Sequence, residues 1–505
     1  MEETFMSKLL IGWSEANITP EKKVSLEGQF AERISEYVEK PLTATAMAME
    51  SAGEQVVFVS CDLVHITAEL LDGIRARLAG NDVGLDPGKV IVSAIHTHTG
   101  PGFAPGDASA RSFMDLRLML NQFMRPGQKY VEKVDLSENP DVATAGEVFD
   151  LLVDRISTAV LDAWSKRAPG SFSNAFGRAA VGMCRRAAYN DGSAQMWGDT
   201  NTAVFEALEG GNDSGIELLY IYNEEKKLTG IVANLACPAQ CVQHRLFVSP
   251  DFWGEVKMLL RKHFGEDLFL LPQCSAAGDQ CPVDLVRWVQ PYSDINDPNC
   301  LRVNPPKRKA DPSMFDLEGM RKAGKRIANE IISVWDEGLD EPQDEPVLEH
   351  RVINMQLPLR RATLTDVNNA KKAIRDYFRD VQGDVDYNDV ANLQVHLGIL
   401  TRFAEQETKD IEDTEVHILR LGTVAIATNP YELFLDYGNQ IKARSDAEQT
   451  FLIQLANGTQ GYLPTAKAEA GGHYSAFISS GNVGHVGGEQ LVRETLQNIR
   501  QMFRA

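Results

Sequence analysis

Lys89 to Phe103 reads K-V-I-V-S-A-I-H-T-H-T-G-P-G-F, and it constrains this chain more than any other stretch. Val90 to Ile95 is a short, mostly apolar run of the kind a buried strand has. Gly100, Pro101 and Gly102 then stop the strand and turn the backbone. Between run and turn sit His96 and His98. Side chains alternate along a strand, so an H-x-H pair is expected to project both imidazoles to one side. In α/β folds the carboxyl ends of strands are where sites are built. Neutral imidazole is the commonest metal ligand and the usual acid or base near neutrality. The stretch therefore reads as one wall of a metal-hydrolase site. Two core histidines with satisfied N–H groups would fit H-x-H equally well, so the rest of the chain has to decide.

A chain of 505 residues suits one large α/β unit or two to three smaller ones. Apolar residues make up 43% and charged residues 24%, an ordinary soluble composition. The formal net charge of −21 argues against nucleic acid and anionic membrane surfaces as partners. The opening M-E-E-T-F-M-S-K-L-L lacks a basic leader region, and no apolar run is long enough to span a bilayer. Seven cysteines in no regular framework favour a reducing compartment. The expectation is a cytoplasmic protein without stable membrane insertion. It would act on a small-molecule substrate, with homo-oligomerisation left open.

Strands are expected at 8–18, 43–50 and 56–61, the last delivering Asp62, and a helix at 67–79 capped by Thr67. With the strand at 90–95 this order predicts an α/β fold, a mixed β-sheet core with flanking helices. Residues 104–145 form an insertion that suits a lid or pocket wall. A helix at 146–166, a hairpin over 217–236 and a helix at 252–264 follow. A buried strand at 268–272 then runs into Q-C-S-A-A-G-D-Q-C-P, where small residues allow close backbone approach. Helices are expected at 315–336, 363–379, 388–408 and 488–503, with 338–348 as an internal linker and 416–427 as strand-rich. Adjacent Arg185 and Arg186 read, as paired arginines usually do, as solvated surface charges.

Four strand-end motifs, in order, resemble the neutral ceramidases, zinc amidases that cut the N-acyl bond of ceramide. S-A-I-H-T-H-T-G-P-G-F is similar to the family's A-T-H-T-H-S-G-P-G, and A-G-D-Q-C-P to its A-G-D-V-S-P. N-P-Y-E-L-F is similar to its P-G-E-x-T, and G-Y-L-P-T to its G-Y-V-T-T. The resemblance implies one ceramidase-like catalytic domain over 1–505, without the family's immunoglobulin-like domain, and one Zn2+ per chain. Its zinc ligands would fall on His96, Glu432 and Tyr462. The fourth, a histidine in a segment like A-V-H-G-T, meets A-C-P-A-Q here, with Cys237 and Pro238 at its place. His244 is the nearest substitute, and Cys237 and Cys241 are the other candidates. The family's serine in G-D-x-S-P is Cys281. Arg185 falls at a substrate-binding arginine, Arg186 nearly as well, and His473 and Tyr474 near a further tyrosine.

A mixed N/O ligand set suits a catalytic zinc that activates water near pH 7. His98 would serve as general acid for the leaving group. Tyr462 would ligate or stabilise a developing oxyanion. Asp62 and Asp279 would orient ligands, and Cys281 and Arg185 would lie beside the reacting carbonyl, with Gln273 near the substrate. Three readings compete with the amidase. One is a glycosidase or esterase of a sugar-like substrate on the same scaffold, favoured by the departures at the site. Another is a binding protein that has lost its metal, and the last is an amidohydrolase barrel.

Overall fold

The computed structural model describes residues 7–29, 33–103, 120–131, 139–289, 309–311, 313–381 and 383–504. Eight of their strands make one mixed sheet. Its order is Phe269–Cys274, Leu228–Leu235, Gly215–Asn223, Ala168–Arg178, Leu10–Asn17, Thr43–Ser51, Glu54–Cys61, Val90–Ala94. The outermost pair at each end is parallel and the pairs between are antiparallel. The expected mixed α/β sheet is what the chain builds.

A second sheet orders Leu348–Pro358, Ile411–Leu421, Val424–Thr428 and Gln449–Ile453. The strand-rich stretch 416–427 holds the turn of a hairpin, Ile411–Leu421 against Val424–Thr428. Gly422 has a φ of 60°, a left-handed conformation, and the turn folds Val424 back onto Leu421.

Trp13, Met47 and Phe58 of the first sheet share one buried cluster with Ile426, Phe451 and Ile453 of the second, so the sheets stack face to face. Helices Ala68–Ala79 and Ala145–Ser165 cover one half of the first sheet's outer face, and Phe252–Phe264 and Asp316–Asp336 the other. Leu435–Arg444 and His485–Arg504 cover the second sheet. The architecture is a helix–sheet–sheet–helix sandwich. Each fully buried Leu, Ile or Phe in these layers contributes roughly 1.5–3 kcal/mol.

Local sequence explains the helix starts. Thr67 accepts a hydrogen bond from the Leu70 N–H at 3.1 Å, and Leu70, Leu71, Ile74 and Leu78 make the buried face. Thr144 and Glu147 form a reciprocal capping box on Ala145–Ser165. No helix of the described residues is long and apolar enough to cross a membrane.

The stretch 338–348 carries the chain from the helical layer of the first sheet into the second. It is pinned there: Phe172 and Gln343 exchange backbone hydrogen bonds, and Asp344 O accepts from Leu9 N at 2.7 Å. Of the insertion 104–145, residues 104–119 and 132–138 lie outside the described residues. Leu120, Phe123 and Tyr130 pack on the helix pair Leu364–Asp380 and Tyr387–Glu405.

Val90–Ala94 ends the first sheet's order, and the loop after Gln449–Ile453 covers its free edge. Asn457 is the clasp. Its Oδ1 accepts from Val92 N at 2.7 Å and its own N–H donates to Val92 O at 2.8 Å. This clasp brings the loops of the second sheet against the H-x-H turn.

Candidate active site

The strand stops at Ala94, and His96 takes a left-handed φ of 63°. The H-x-H pair therefore stands in a turn, and strand alternation is not what brings its rings together. A non-glycine residue in this region is strained and is commonest where function over-determines the backbone. The turn is held from several sides. Thr97 and Thr99 both donate to Ser249 O, at 2.8 and 2.9 Å, and Arg33 Nη2 donates to His98 O at 2.7 Å. Gly28 presses on the His98 ring so closely that a Cβ there would lie 2.5 Å from Cγ.

His96 Nδ1 lies 2.7 Å from Val64 O, so this nitrogen carries the proton and donates it. In the neutral ring Nε2 is then a lone pair. It faces Glu432 Oε2 at 3.5 Å and His98 Nε2 at 3.2 Å. Glu432 comes from the second sheet's side, on the two-residue strand Glu432–Leu433, which pairs in parallel with Tyr462–Leu463. Their register sets Glu432 beside Tyr462. Gly278 allows this approach, because a Cβ there would sit 2.3 Å from Glu432 O.

Arg185 ties the parts together. Its Nη2 donates to Gly278 O at 2.9 Å and to Tyr462 Oη at 3.4 Å, and its Nη1 to Gln240 Oε1 at 3.2 Å. That bond orients the Gln240 amide, whose Nε2 then lies 2.9 Å from His98 Nε2. Arg185 and Arg186 are both buried, not solvated as their pairing suggested. Burial opposes the Arg185 charge, yet Tyr462, Cys281, Glu432 and Tyr474 around it hold its pKa above the ordinary value. Burial, then His96, Arg33, Arg185 and His244, push the His98 pKa well below the usual range. Burial, then Glu432 and Tyr474, push the Tyr462 phenol well above its own. At neutral pH the site holds a neutral His98 and a protonated Tyr462.

The space in front is a cavity of about 620 Å³. His98, Arg185, Gln240 and Tyr462 form its floor side, and Trp197, Trp288 and Phe315 contribute aromatic wall. His244 also lines it, its ring 5.7 Å from Phe315. Tyr474 lines it and meets Tyr462 edge-on, 5.5 Å between centroids.

Other residues singled out from the sequence serve as braces. Asp279 accepts from Leu435 N at 2.9 Å, fixing the segment after Glu432, and burial raises its pKa to about 6. Gln273 is buried between strands, where it accepts from Asn234 at 3.3 Å. Asp62 accepts from the Thr43 N–H and hydroxyl. The Cys281 thiol is fully buried, points to Val283 O at 3.6 Å, and is pushed up to about 12 by burial, which is the behaviour of an inert thiol. His473 accepts from Met196 N at 3.2 Å, and Cys237 and Cys241 are fully buried.

Sequence reasoning missed Gln240, Arg33 and His65. Gln240 closes the A-C-P-A-Q segment where a histidine was sought, and that departure was itself the signal. His65 lies just beyond Glu54–Cys61, the parallel neighbour of the H-x-H strand. Burial lowers its pKa, against the opposing pull of the Glu27 and Glu432 carboxylates. Arg33 carried no local signal.

Among the described residues no three His, Cys, Asp or Glu side chains are grouped to hold a metal by themselves. Tyr462 oxygen is outside that set of residue types. The donor chemistry nevertheless fits a cation: His96 Nε2 and Glu432 Oε2, 3.5 Å apart, pair one nitrogen with one anionic oxygen.

The structure resembles the neutral ceramidase of Pseudomonas aeruginosa, with a TM-score of 0.65 and 16% identity, over 98% of this chain and 75% of that one. A ceramidase structure described as complexed with C2 matches similarly, with a TM-score of 0.64, 15% identity and coverage of 98% and 76%. The fold is that of the neutral ceramidases. No family model and no curated protein matches the sequence. The neutral ceramidase fold is thus retained at an identity where sequence comparison alone is silent.

Proposed function

We propose that this protein is a metal-dependent hydrolase that cleaves an N-acyl amide of a small molecule. The observation that carries this reading is the approach of His96 Nε2 to Glu432 Oε2, 3.5 Å apart, with Tyr462 paired beside Glu432 and lining a cavity of about 620 Å³. His96, Glu432 and Tyr462 would hold zinc, an N/O donor set that suits it. When bound, zinc supplies Lewis acidity and an acidified water near pH 7.

The chain's own groups divide the remaining work. Neutral His98 accepts the Gln240 amide N–H at Nε2, 2.9 Å away, and would take a proton from the attacking water once the water displaces that contact. Tyr462 stands with the proposed metal ligands, so the general-acid role stays with His98, which would return the water's proton to the leaving nitrogen. Arg185 braces Tyr462 and places a fixed positive charge where an oxyanion develops.

Metal analysis with His96→Ala tests the centre. Loss of about one zinc per chain together with turnover supports the reading, and unchanged metal and turnover refutes it. A sugar-like substrate remains a second reading, favoured by one observation. The cavity mouth combines the 39% exposed Trp197 indole with Gln29, Gln243 and Asp199, an apolar face beside polar groups. A panel of N-acyl amides against aryl glycosides separates the two, and activity on glycosides alone eliminates the amidase.

A further inference from the structure

Arg186 is fully buried, and its guanidinium fork is spent on one short loop and one acid. Nε and Nη2 donate to the two Glu209 carboxylate oxygens at 2.5 and 3.0 Å. Nη2 also donates to Gly472 O at 2.7 Å and Ala468 O at 3.5 Å. Nη1 donates to Tyr474 O at 2.9 Å and Ser475 Oγ at 3.3 Å. The loop it grips is strained: Gly472, His473 and Ser475 have φ of 72°, 71° and 70°. Left-handed backbone is tolerated by glycine but disfavoured for histidine and serine, so this conformation needs outside support.

Tyr474 stands in the middle of that loop. It lines the cavity, packs edge-on against Tyr462, and shares a hydrogen bond with it. Glu209 neutralises the buried guanidinium, without which its desolvation would be prohibitive.

We propose that Arg186, with Glu209, is a positioning residue: it holds loop 472–475 in its left-handed path so that Tyr474 sets the orientation of Tyr462. This rests on the reading of Tyr462 as part of the metal centre. It replaces the substrate-binding role expected for Arg186, whose donors face the loop and Glu209. Planar, bidentate recognition is what arginine supplies and lysine does not.

The decisive variant is Arg186→Lys, which keeps the charge and removes the fork. Titrated with zinc alone, it is expected to bind about 10-fold more weakly, and kcat on the best amide to fall about 10- to 100-fold with KM nearly unchanged. Amide exchange in 472–475 is expected to accelerate while the central strands stay protected. Tyr474→Phe is expected to weaken zinc similarly, and Arg186→Lys in that background to add no further loss. Full multiplication of the two effects, or unchanged exchange in 472–475, overturns the proposal. Should Arg186→Lys fail to fold, Glu209→Gln carries the same readouts. If the wild-type protein binds no zinc at all, the metal reading fails while exchange in 472–475 still decides whether Arg186 holds the loop.

Discussion

Among the described residues two histidine pairs stand beside a carboxylate, and the first lines, through His98, the cavity of about 620 Å³. His96 and His98 stand 4.8 Å apart by ring centroid, with Glu432 at hand. His350 and His417 stand 5.0 Å apart, with Glu415 at hand. In the second pair every ring nitrogen is engaged. His350 donates to Gln55 O at 2.9 Å and meets His417 Nδ1 at 2.8 Å, and His417 Nε2 meets Glu415 and Asn457, each at 2.9 Å. That cluster is a sealed fastening between the two sheets, tied to the helical layer by the Arg75–Glu415 ion pair. In the first pair His98 Nδ1 has no partner, and His96 Nε2 faces acceptors. Imidazoles near an acid do not make a site. An unpartnered ring nitrogen on a residue that lines a cavity, as in His98, is what separates chemistry from scaffolding.

Mutations at the two pairs should part company accordingly. The largest effect is expected for His96→Ala, with turnover down at least about 1000-fold and zinc lost, while the melting temperature of the metal-free protein barely moves. Metal analysis and calorimetry on one preparation check this. His417→Leu should do the reverse, lowering stability by about 2–3 kcal/mol in urea unfolding and leaving kcat per folded molecule unchanged. Equal loss of turnover in both variants would dissolve the distinction.

Gln240→Leu sharpens it. Removing the amide that orients His98 should reduce kcat about 10-fold without loss of zinc, with a stability cost of about 1–3 kcal/mol for the Arg185 donor left buried, checked by steady-state kinetics beside metal analysis. The smallest effect concerns pH. Burial, then the charge of His417, lowers the His350 pKa to about 3 from an ordinary 6.5. An imidazole depressed by folding takes its proton first in the unfolded chain, so acid favours unfolding. The contribution of His350 should be complete above the unfolded value of about 6.5 and fade as pH falls toward 3. The difference in unfolding free energy between wild type and His350→Gln, measured across that range, should shrink on the acid side. A difference independent of pH would count against the sealed network.

Local signals carried the sequence a fair distance. The apolar run before His96, the turn after it and the cap at Thr67 are all short-range features, and each appears where the residues put it. The motifs around Glu432 and Tyr462 were legible too: Glu432 lies 3.5 Å from His96, and Tyr462 pairs beside Glu432. What was not legible depends on distant partners. Arg186 is buried because Glu209 and the loop after Ala468 close around it, and nothing near position 186 announces either. The left-handed backbone at His96 broke the alternation argument while leaving its outcome intact. The face-to-face stacking of two sheets was invisible, because the pairing of Val90–Ala94 with the loop at Asn457 joins ends of the chain hundreds of residues apart.

The Asn457 clasp has a further consequence. The groups proposed to meet at one cation belong to different sheets, so neither half of the sandwich owns the centre. Any event that parts the layers, whether heat, a nick or a crowding mutation at the seam, should release the ion before the strands themselves melt. Ion retention would then act as a gauge of assembly, reporting on the joint and not on either slab.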